Sequence, residues 1–287
     1  MFAIYKKEMR TYFTSIVGYL FLAFFLALLG LYFYGQNLYG GLANIGYALY
    51  GVSTFFILLV PMLTMRIMAE EGRQKTDQLL YTSPISVSKI IVGKYFSVLT
   101  MFGIIMVVAC FYPLILSRYG TVNYKMCYAA IFAFFLMGAA YMAVGLFISS
   151  LTESQAFAAI MTFVIVIISV FCTQIAEMLP QDGKLAWGLF AVILLLFAWL
   201  SYLIMRNITV SITAGVIAEL VLFLFYQVKP EVFDGALINV FGWFSIADRF
   251  ITFVYGEFDV AAIIYYLSYC VLFVFLTVQV VKKRRWA

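Results

Sequence analysis

Histidine is absent from this 287-residue chain. That removes the side chain most used as a general base, as a metal ligand and as a switch near neutral pH. Charge is scarce too: Asp, Glu, Lys and Arg make up 11% of the residues, against roughly a quarter in an average soluble domain. The four cysteines, Cys110, Cys127, Cys172 and Cys270, are isolated and form no Cys-x-x-Cys pair. They argue against a zinc site or a disulfide framework and read as small apolar packing residues. A phosphate-cradling loop is missing as well. The segment "VGKY" at Val92–Tyr95 has one Gly before Lys94 and no hydroxyl after it, so it cannot wrap a nucleotide phosphate. No small-residue cleavage site closes the first apolar run, which is therefore expected to be retained as a span.

What the chain has instead is hydrocarbon. Hydrophobic residues make up 66% of it, more than the core of so short a chain can bury, so the bilayer must act as its solvent. A helix needs about 20 apolar residues to cross that layer. Eight windows qualify: Ile16–Tyr34, Tyr47–Met65, Tyr95–Leu116, Met126–Ser149, Ala156–Ile175, Leu185–Met205, Ile208–Tyr226 and Ala261–Val281. The last but one is the weakest, since it carries Glu219 and several Ser and Thr. Only Arg206 and Asn207 separate it from the window before, so the two form a tight hairpin. Eight spans put both termini on one side. With the termini in the cytoplasm, 13 of the 18 basic residues fall inside and 5 (Arg118, Lys125, Lys184, Lys229 and Arg249) fall outside. The positive-inside bias selects this orientation. It also accounts for the net charge of +5 without a nucleic-acid partner. The "KKRR" tail reads as an anchor beside anionic lipid.

Two segments outside the spans have a pattern of their own. In residues 1–15, Phe2, Tyr5, Met9, Tyr12 and Phe13, followed by Ile16, step by three or four, with Lys6, Lys7, Arg10 and Thr14 opposite. This predicts an amphipathic helix lying in the cytoplasmic interface. Residues 227–260 mix aromatic and aliphatic residues with acids, and Gly256 breaks the run. This predicts short helices packed at the outer surface.

Residues 66–94 carry the functional signal. Their sequence, "RIMAEEGRQKTDQLLYTSPISVSKIIVGK", predicts a cytoplasmic helix from Ala69 to Tyr81 with an apolar end at Leu79 and Leu80. Ser83 and Pro84 then read as the N-cap and first position of a new helix. A second cytoplasmic turn lies in "GLFISSLTESQAFAA", Gly145–Ala159. There Thr152 or Ser154, beside Ser150, can cap the next helix, and Glu153 sits near its positive end.

These two segments resemble the permease subunits of type-2 ABC exporters. The first carries that family's acidic pair (Glu70, Glu71), a Thr (Thr76), a Leu pair (Leu79, Leu80), a Ser-Pro (Ser83, Pro84) and a Gly-Lys (Gly93, Lys94). One departure is Lys75, where the family often has Gly. The stretch "SIADRFITFVYGEFDVAAIIYYLSY" resembles the gliding-motility-associated branch through Arg249, Phe250, Gly256 and Asp259. The resemblance implies an all-α polytopic membrane protein forming a single transmembrane domain over residues 1–287. It would comprise an interfacial N-terminal helix, a six-span core extended to about eight by the hairpin, a cytoplasmic coupling helix and a small external helical loop before the last span. It implies a multi-pass protein of a bacterial cytoplasmic membrane that is not itself an enzyme and binds no cofactor or metal, with ATP and Mg on two copies of a separate cytoplasmic ATPase. A second permease, identical or related, would complete the transporter, and an accessory membrane or extracellular subunit is compatible with it. The ATPase would be met by Glu70, Glu71, Arg73, Thr76, Asp77, Leu79, Leu80, Tyr81, Ser83 and Pro84.

Other functions have weaker support. An ATP-independent secondary transporter would use intramembrane ions, and Glu219 is the only acid within a predicted span. An intramembrane enzyme lacks paired carboxylates or a nucleophile motif. A non-transporting assembly or regulatory protein would share the fold. The cargo is open, since apolar walls suit lipids, peptides and small amphiphiles alike.

Overall fold

The structure is a computed structural model that describes residues 1–76, 85–178, 183, 186–192, 194–195, 208–228 and 233–286. All regular structure among the described residues is helical. The chain divides into two compact units, Met1–Val170 with Ile246–Ala287, and Phe171–Ser245.

The first unit opens with α1 (Phe2–Thr14). The chain becomes extended at Ser15 and turns into α2 (Ile16–Tyr32), which continues as a π-helical segment, Phe33–Tyr39. Gly18 permits this turn, because a Cβ there would run into the carbonyl of Tyr12. The second span is α3 (Gly46–Ser53) and α4 (Phe56–Thr64), and the helices on either side of the break meet at a 66° bend. At the break Phe55 N bonds to Val52 O at 2.9 Å, a three-residue closure that interrupts the α ladder. The sequence predicts a span from Tyr47 to Met65, and the bend divides that stretch into two helices. A short helix, α5 (Ala69–Gln74), follows. The third span, α6 (Val87–Ala109), continues into α7 (Tyr112–Leu116). It begins well before Tyr95, at Val87 with Ser86 as its N-cap, so the polar "VSKIIVGK" is the base of this helix.

At the centre is α8 (Tyr124–Leu151). It is apolar on every side, as a fully surrounded helix must be, and 83% of its apolar window is buried. Small residues let its neighbours come close. A Cβ on Gly145 would strike the side chain of Thr64, and one on Gly138 would strike the ring of Phe102. Four fully buried phenylalanines, Phe25, Phe56, Phe102 and Phe134, come from α2, α4, α6 and α8. All six of their pairings have ring centroids 5.2 to 6.3 Å apart. This mutual tilted and edge-on contact ties four spans at one level. Two further long helices are α9 (Gln155–Met178) and α13 (Val260–Trp286). Among the described residues, five helices are long and apolar enough to cross a membrane, or six with the bent pair. Large apolar side chains such as Leu58, Phe96, Ile160 and Val271 lie exposed, which suits surfaces that face lipid.

After the second unit the chain re-enters the first through a 3₁₀ turn (Asp248–Phe250) and the four-residue α12 (Ile251–Val254). Short helices were expected here at the outer surface, but this segment lies deeper. Ile246, Phe250, Phe253 and Val254 are buried. Phe250 stacks edge-on against Phe134 at 5.6 Å, and Tyr266 donates its hydroxyl to Ile246 O at 3.1 Å.

The second unit contains α10 (Ile208–Val228) and α11 (Ala236–Phe244). Its apolar centre joins Trp187, Phe190, Tyr226 and Phe233, and Gly183 N donates to Asp234 Oδ1 at 2.9 Å. Ile208–Tyr226 is helical as expected. Most of the partner window Leu185–Met205, and the turn at Arg206 and Asn207, lie outside the described residues.

Candidate functional site

The base of the first unit gathers the segments singled out by sequence. α1 lies against α6 where Gly93 leaves room, since a Cβ there would meet Met1 O at 3.2 Å and Ile4 at 3.6 Å. Ile4, Glu8 and Tyr12 are buried, four residues apart, and form the stripe that faces the protein. Phe2, Phe13, Lys6 and Arg10 are exposed, the two basic residues on the side opposite Glu8. Tyr12 donates to Leu63 O at 3.1 Å, so α1 is fixed to the last turn of α4. Burial pushes the Tyr12 phenol up, which keeps its donating proton in place.

The residue after Gly93 is the centre of the site. Lys94 is 1% exposed. Its ammonium has three protons to donate, and each has an acceptor: Glu8 Oε1 at 3.0 Å, Glu71 Oε2 at 2.8 Å and Ile67 O at 2.8 Å. Lys7 completes the cluster by donating to Glu71 Oε1 at 2.7 Å. Two cations and two carboxylates therefore balance, with Lys94, Glu8 and Glu71 buried and Lys7 closing the cluster from the exposed side, the condition under which buried charge is tolerated. Burial works to raise the Glu71 carboxyl, but the charge of Lys94 and the bonds from Lys7 and Lys94 outweigh it and hold Glu71 below the ordinary carboxylate value. Glu71 sits on α5, past the apolar part of the second span. For Lys7, burial works downward, while the hydrogen bond and charge of Glu71, with Glu8 behind it, push the ammonium up.

α5 is held from a third direction. Its N-terminus has no side-chain cap of its own. Instead Ser149, at the end of α8, accepts from Met68 N and Ala69 N, both at 3.2 Å, and donates to Met65 O at 3.2 Å. One hydroxyl thus serves the free amides of α5 and a free carbonyl at the end of α4. The turn between α8 and α9 lies alongside: a Cβ on Gly72 would meet Glu153 Cγ at 3.1 Å.

The sequence predicts a helix from Ala69 to Tyr81, but the helix ends at Gln74. Lys75 takes the left-handed conformation with φ 56°. Its N–H bonds to Gly72 O at 3.2 Å, and Thr76 N bonds back to Glu71 O at 3.1 Å, closing the helix in a Schellman-like turn. This is the position at which the resembled family often has Gly, and the backbone gives the reason.

The predicted contact residues have different surroundings. Glu71 is buried in the cluster and presents no free carboxylate. Glu70 pairs with Arg66 at 2.9 Å and accepts from Gln74 at 3.3 Å. Arg73 is exposed and Thr76 partly so. Asp77, Leu79, Leu80, Tyr81, Ser83 and Pro84 lie outside the described residues. In the second turn, Ser154 caps α9 by accepting from Phe157 N at 3.3 Å, while Thr152 accepts from Ser154 N at 3.1 Å. Ser150 is buried and bonds within its own helix, to Phe147 O at 2.6 Å. Arg284, in the basic tail, reaches Leu151 O at 2.9 Å. Part of that tail therefore closes the end of α8, beyond any anchoring by lipid. Glu219 lies in the second unit, partly buried, with Oε1 free of hydrogen bonds. Sequence reasoning missed Glu8, Lys94 as a hub, and Ser149. The four-residue spacing of Ile4, Glu8 and Tyr12 was the available signal for Glu8.

Among the described residues no group of His, Cys, Asp and Glu could hold a metal ion. The arrangement is mechanical: helices cross-linked by charge and hydrogen bonds, with no reacting group at their centre. Residues 2–214 match a family described as ABC-2 family transporter protein, a range that contains the whole cluster. No curated protein and no solved structure matches the chain.

Proposed function

The chain belongs to the ABC-2 family of transporter proteins, and from that premise we propose that it is the permease of an ATP-driven exporter powered by a separate cytoplasmic ATPase. ABC-2 permeases generally pair with such a subunit, and this chain is a non-catalytic, multi-pass membrane permease. The observation that carries the finer reading is the Lys94 cluster. It fastens α5 to α1 and α6, while Ser149 fastens α5 to α8. A push on residues 69–84 would then move three helices as one body, which is what alternating access by shear of packed helices requires. Two permeases and two ATPases would form the working assembly, with both termini in the cytoplasm of a bacterial cell. The resemblance to the gliding-motility-associated branch rests on Arg249, Phe250, Gly256 and Asp259, which lie beyond the matched residues.

Purification in mild detergent should yield a stoichiometric nucleotide-binding subunit. Leu80→Asp should then weaken that association by at least tenfold and uncouple transport from ATP hydrolysis, because a charge forced into an apolar contact costs several kcal/mol. Association and transport both unchanged would show that this segment does not meet the ATPase.

A further inference from the structure

The turn by which the chain re-enters the first unit carries a cation that the fold leaves unpaired. Arg249 stands between Asp248 and Phe250 in the 3₁₀ turn. The backbone around it is well held. Ile246 N donates to Ser169 Oγ at 3.4 Å, Thr252 Oγ1 donates to Arg249 O at 3.1 Å, and Phe250 is fully buried. The Arg249 guanidinium carbon lies 4.0 Å from the centre of the Tyr265 ring, and that ring is backed by Tyr269 at 4.6 Å. The negative face of the aromatic ring attracts the cation, so the side chain has a fixed seat.

That seat uses a face of the guanidinium and none of its five N–H groups. Among the described residues no hydrogen bond or ion pair reaches them. Nε is buried, whereas the two terminal nitrogens are not enclosed and the residue as a whole is only partly buried. What remains open is therefore the end-on fork of two amino groups. The carboxylate of Asp259, at the head of α13, is engaged elsewhere, its Oδ1 accepting from Ala261 N at 2.8 Å.

Depth and surroundings narrow the partner. Tyr265 lies four residues past Ala261, where the last predicted span begins, about 6 Å along the helix. Its side chain leans back toward the start of α13. The guanidinium thus sits close to the edge of the bilayer, where a long basic side chain reaches lipid headgroups. Nearby, Ile264, Leu267 and Val271 are exposed along one face of α13 at helical spacing. A fork suited to an oxyanion stands at the head of a strip suited to hydrocarbon. A guanidinium meets phosphate through two parallel N–H···O bonds, and phosphate is the oxyanion that a bilayer supplies at this level. We propose that Arg249 binds the phosphate of a membrane phospholipid, one acyl chain of which lies along Ile264, Leu267 and Val271. The site requires only that the chain sit in a bilayer and is independent of coupling to an ATPase.

The test uses the full chain in dodecyl maltoside micelles, which supply no phosphate. The probe is a phosphatidylglycerol with a diazirine in one acyl chain, the cross-links being mapped by mass spectrometry. Labelling is expected in residues 246–254 and 260–271. A diacylglycerol with the same diazirine chain lacks the phosphate and should label these residues about tenfold less, the loss expected of a charge-assisted pair. Arg249→Gln should bring the phospholipid down to the level of the diacylglycerol. Arg249→Lys keeps the charge without the fork and should retain part of the labelling. Equal labelling by the two probes would overturn the proposal, because the apolar strip alone would then hold the lipid. Displacement by oleate as readily as by unlabelled phosphatidylglycerol would overturn it in favour of a carboxylate amphiphile. Displacement by millimolar inorganic phosphate would overturn it in favour of a free ion. The comparison of the two probes runs on the unaltered chain, so it stands whether or not the variants fold.

Discussion

Glu71 and Lys94 stand 2.8 Å apart, carboxylate to ammonium, and join the short helix after the second span to the base of the third. Neither is free for a partner, since Glu71 is also held by Lys7 and Lys94 by Glu8. The acidic pair after the second span thus divides its work. Glu70 supports its own helix through Arg66, and Glu71 sets where that helix lies.

Lys94→Met should destabilise the protein by about 3–5 kcal/mol, because two buried carboxylates would be left with Lys7 alone. Adding Glu71→Gln should recover part of the loss by removing one of them. Thermal unfolding of the two variants in the same detergent checks this. A double variant no more stable than the single one would mean that the pair acts through packing rather than charge.

Stability should be flat with pH across the physiological range and fall at both extremes. The Glu71 carboxyl is held below 4.5 in the folded protein. Its contribution is therefore complete above that ordinary value and is lost as pH falls through the lowered one. The Lys7 ammonium is held above 10.5, so its contribution is complete below that value and is lost as pH rises through the raised one. Thermal unfolding at a series of pH values should show the acid-side fall diminished in Glu71→Gln. An unchanged acid limb in that variant would assign the fall to other carboxylates.

Lys75→Gly should stabilise the protein by about 1 kcal/mol. The residue has φ 56°, a conformation that costs a side-chain-bearing residue roughly that much and glycine little. Its backbone bonds to α5 are kept in the variant. The check is a rise in unfolding temperature, with Lys75→Ala as the control that should give none.

How much of this was legible in the sequence depended on the distance over which each feature is decided. The long apolar runs announced the spans because a crossing needs only local composition. Ser154 as a cap and Glu70 with Arg66 were within reach for the same reason, their partners lying three or four residues away. Glu70 and Glu71 stand in the sequence as one acidic pair, yet successive helical residues point about 100° apart. Only the fold brings Lys94 and Lys7 to the second of them. Ser149 and Ser150 pose the same problem, and the one that caps α5 was not the one singled out. Glu8 was hidden by its residue type, since a charge on a buried stripe makes sense only once its cation is known. The bend at Phe55 left no Pro or Gly at the break to betray it, and the early end of α5 was foreshadowed only by the unusual lysine at position 75.

The orientation of the chain yields to a chemical measurement. Single cysteines at positions 75, 207 and 257, in a background without the four native ones, should be treated on intact cells with a membrane-impermeant thiol reagent. Lys75 and Glu257 are both exposed, at opposite ends of the first unit, so substitution there disturbs no core. Cytoplasmic termini and the bias of basic residues toward the termini's side lead to labelling at 257 alone, with 75 and 207 reacting only after the membrane is opened. Labelling at 75 but not 257 would invert the protein and remove the ATPase from the side where the Lys94 cluster lies. Labelling at 207 together with 257 would leave the orientation intact and convert the hairpin of Leu185–Met205 and Ile208–Tyr226 into an external one, reducing the spans to six. The three positions separate these outcomes because inversion moves all three to the other side of the membrane, while an external hairpin moves 207 alone.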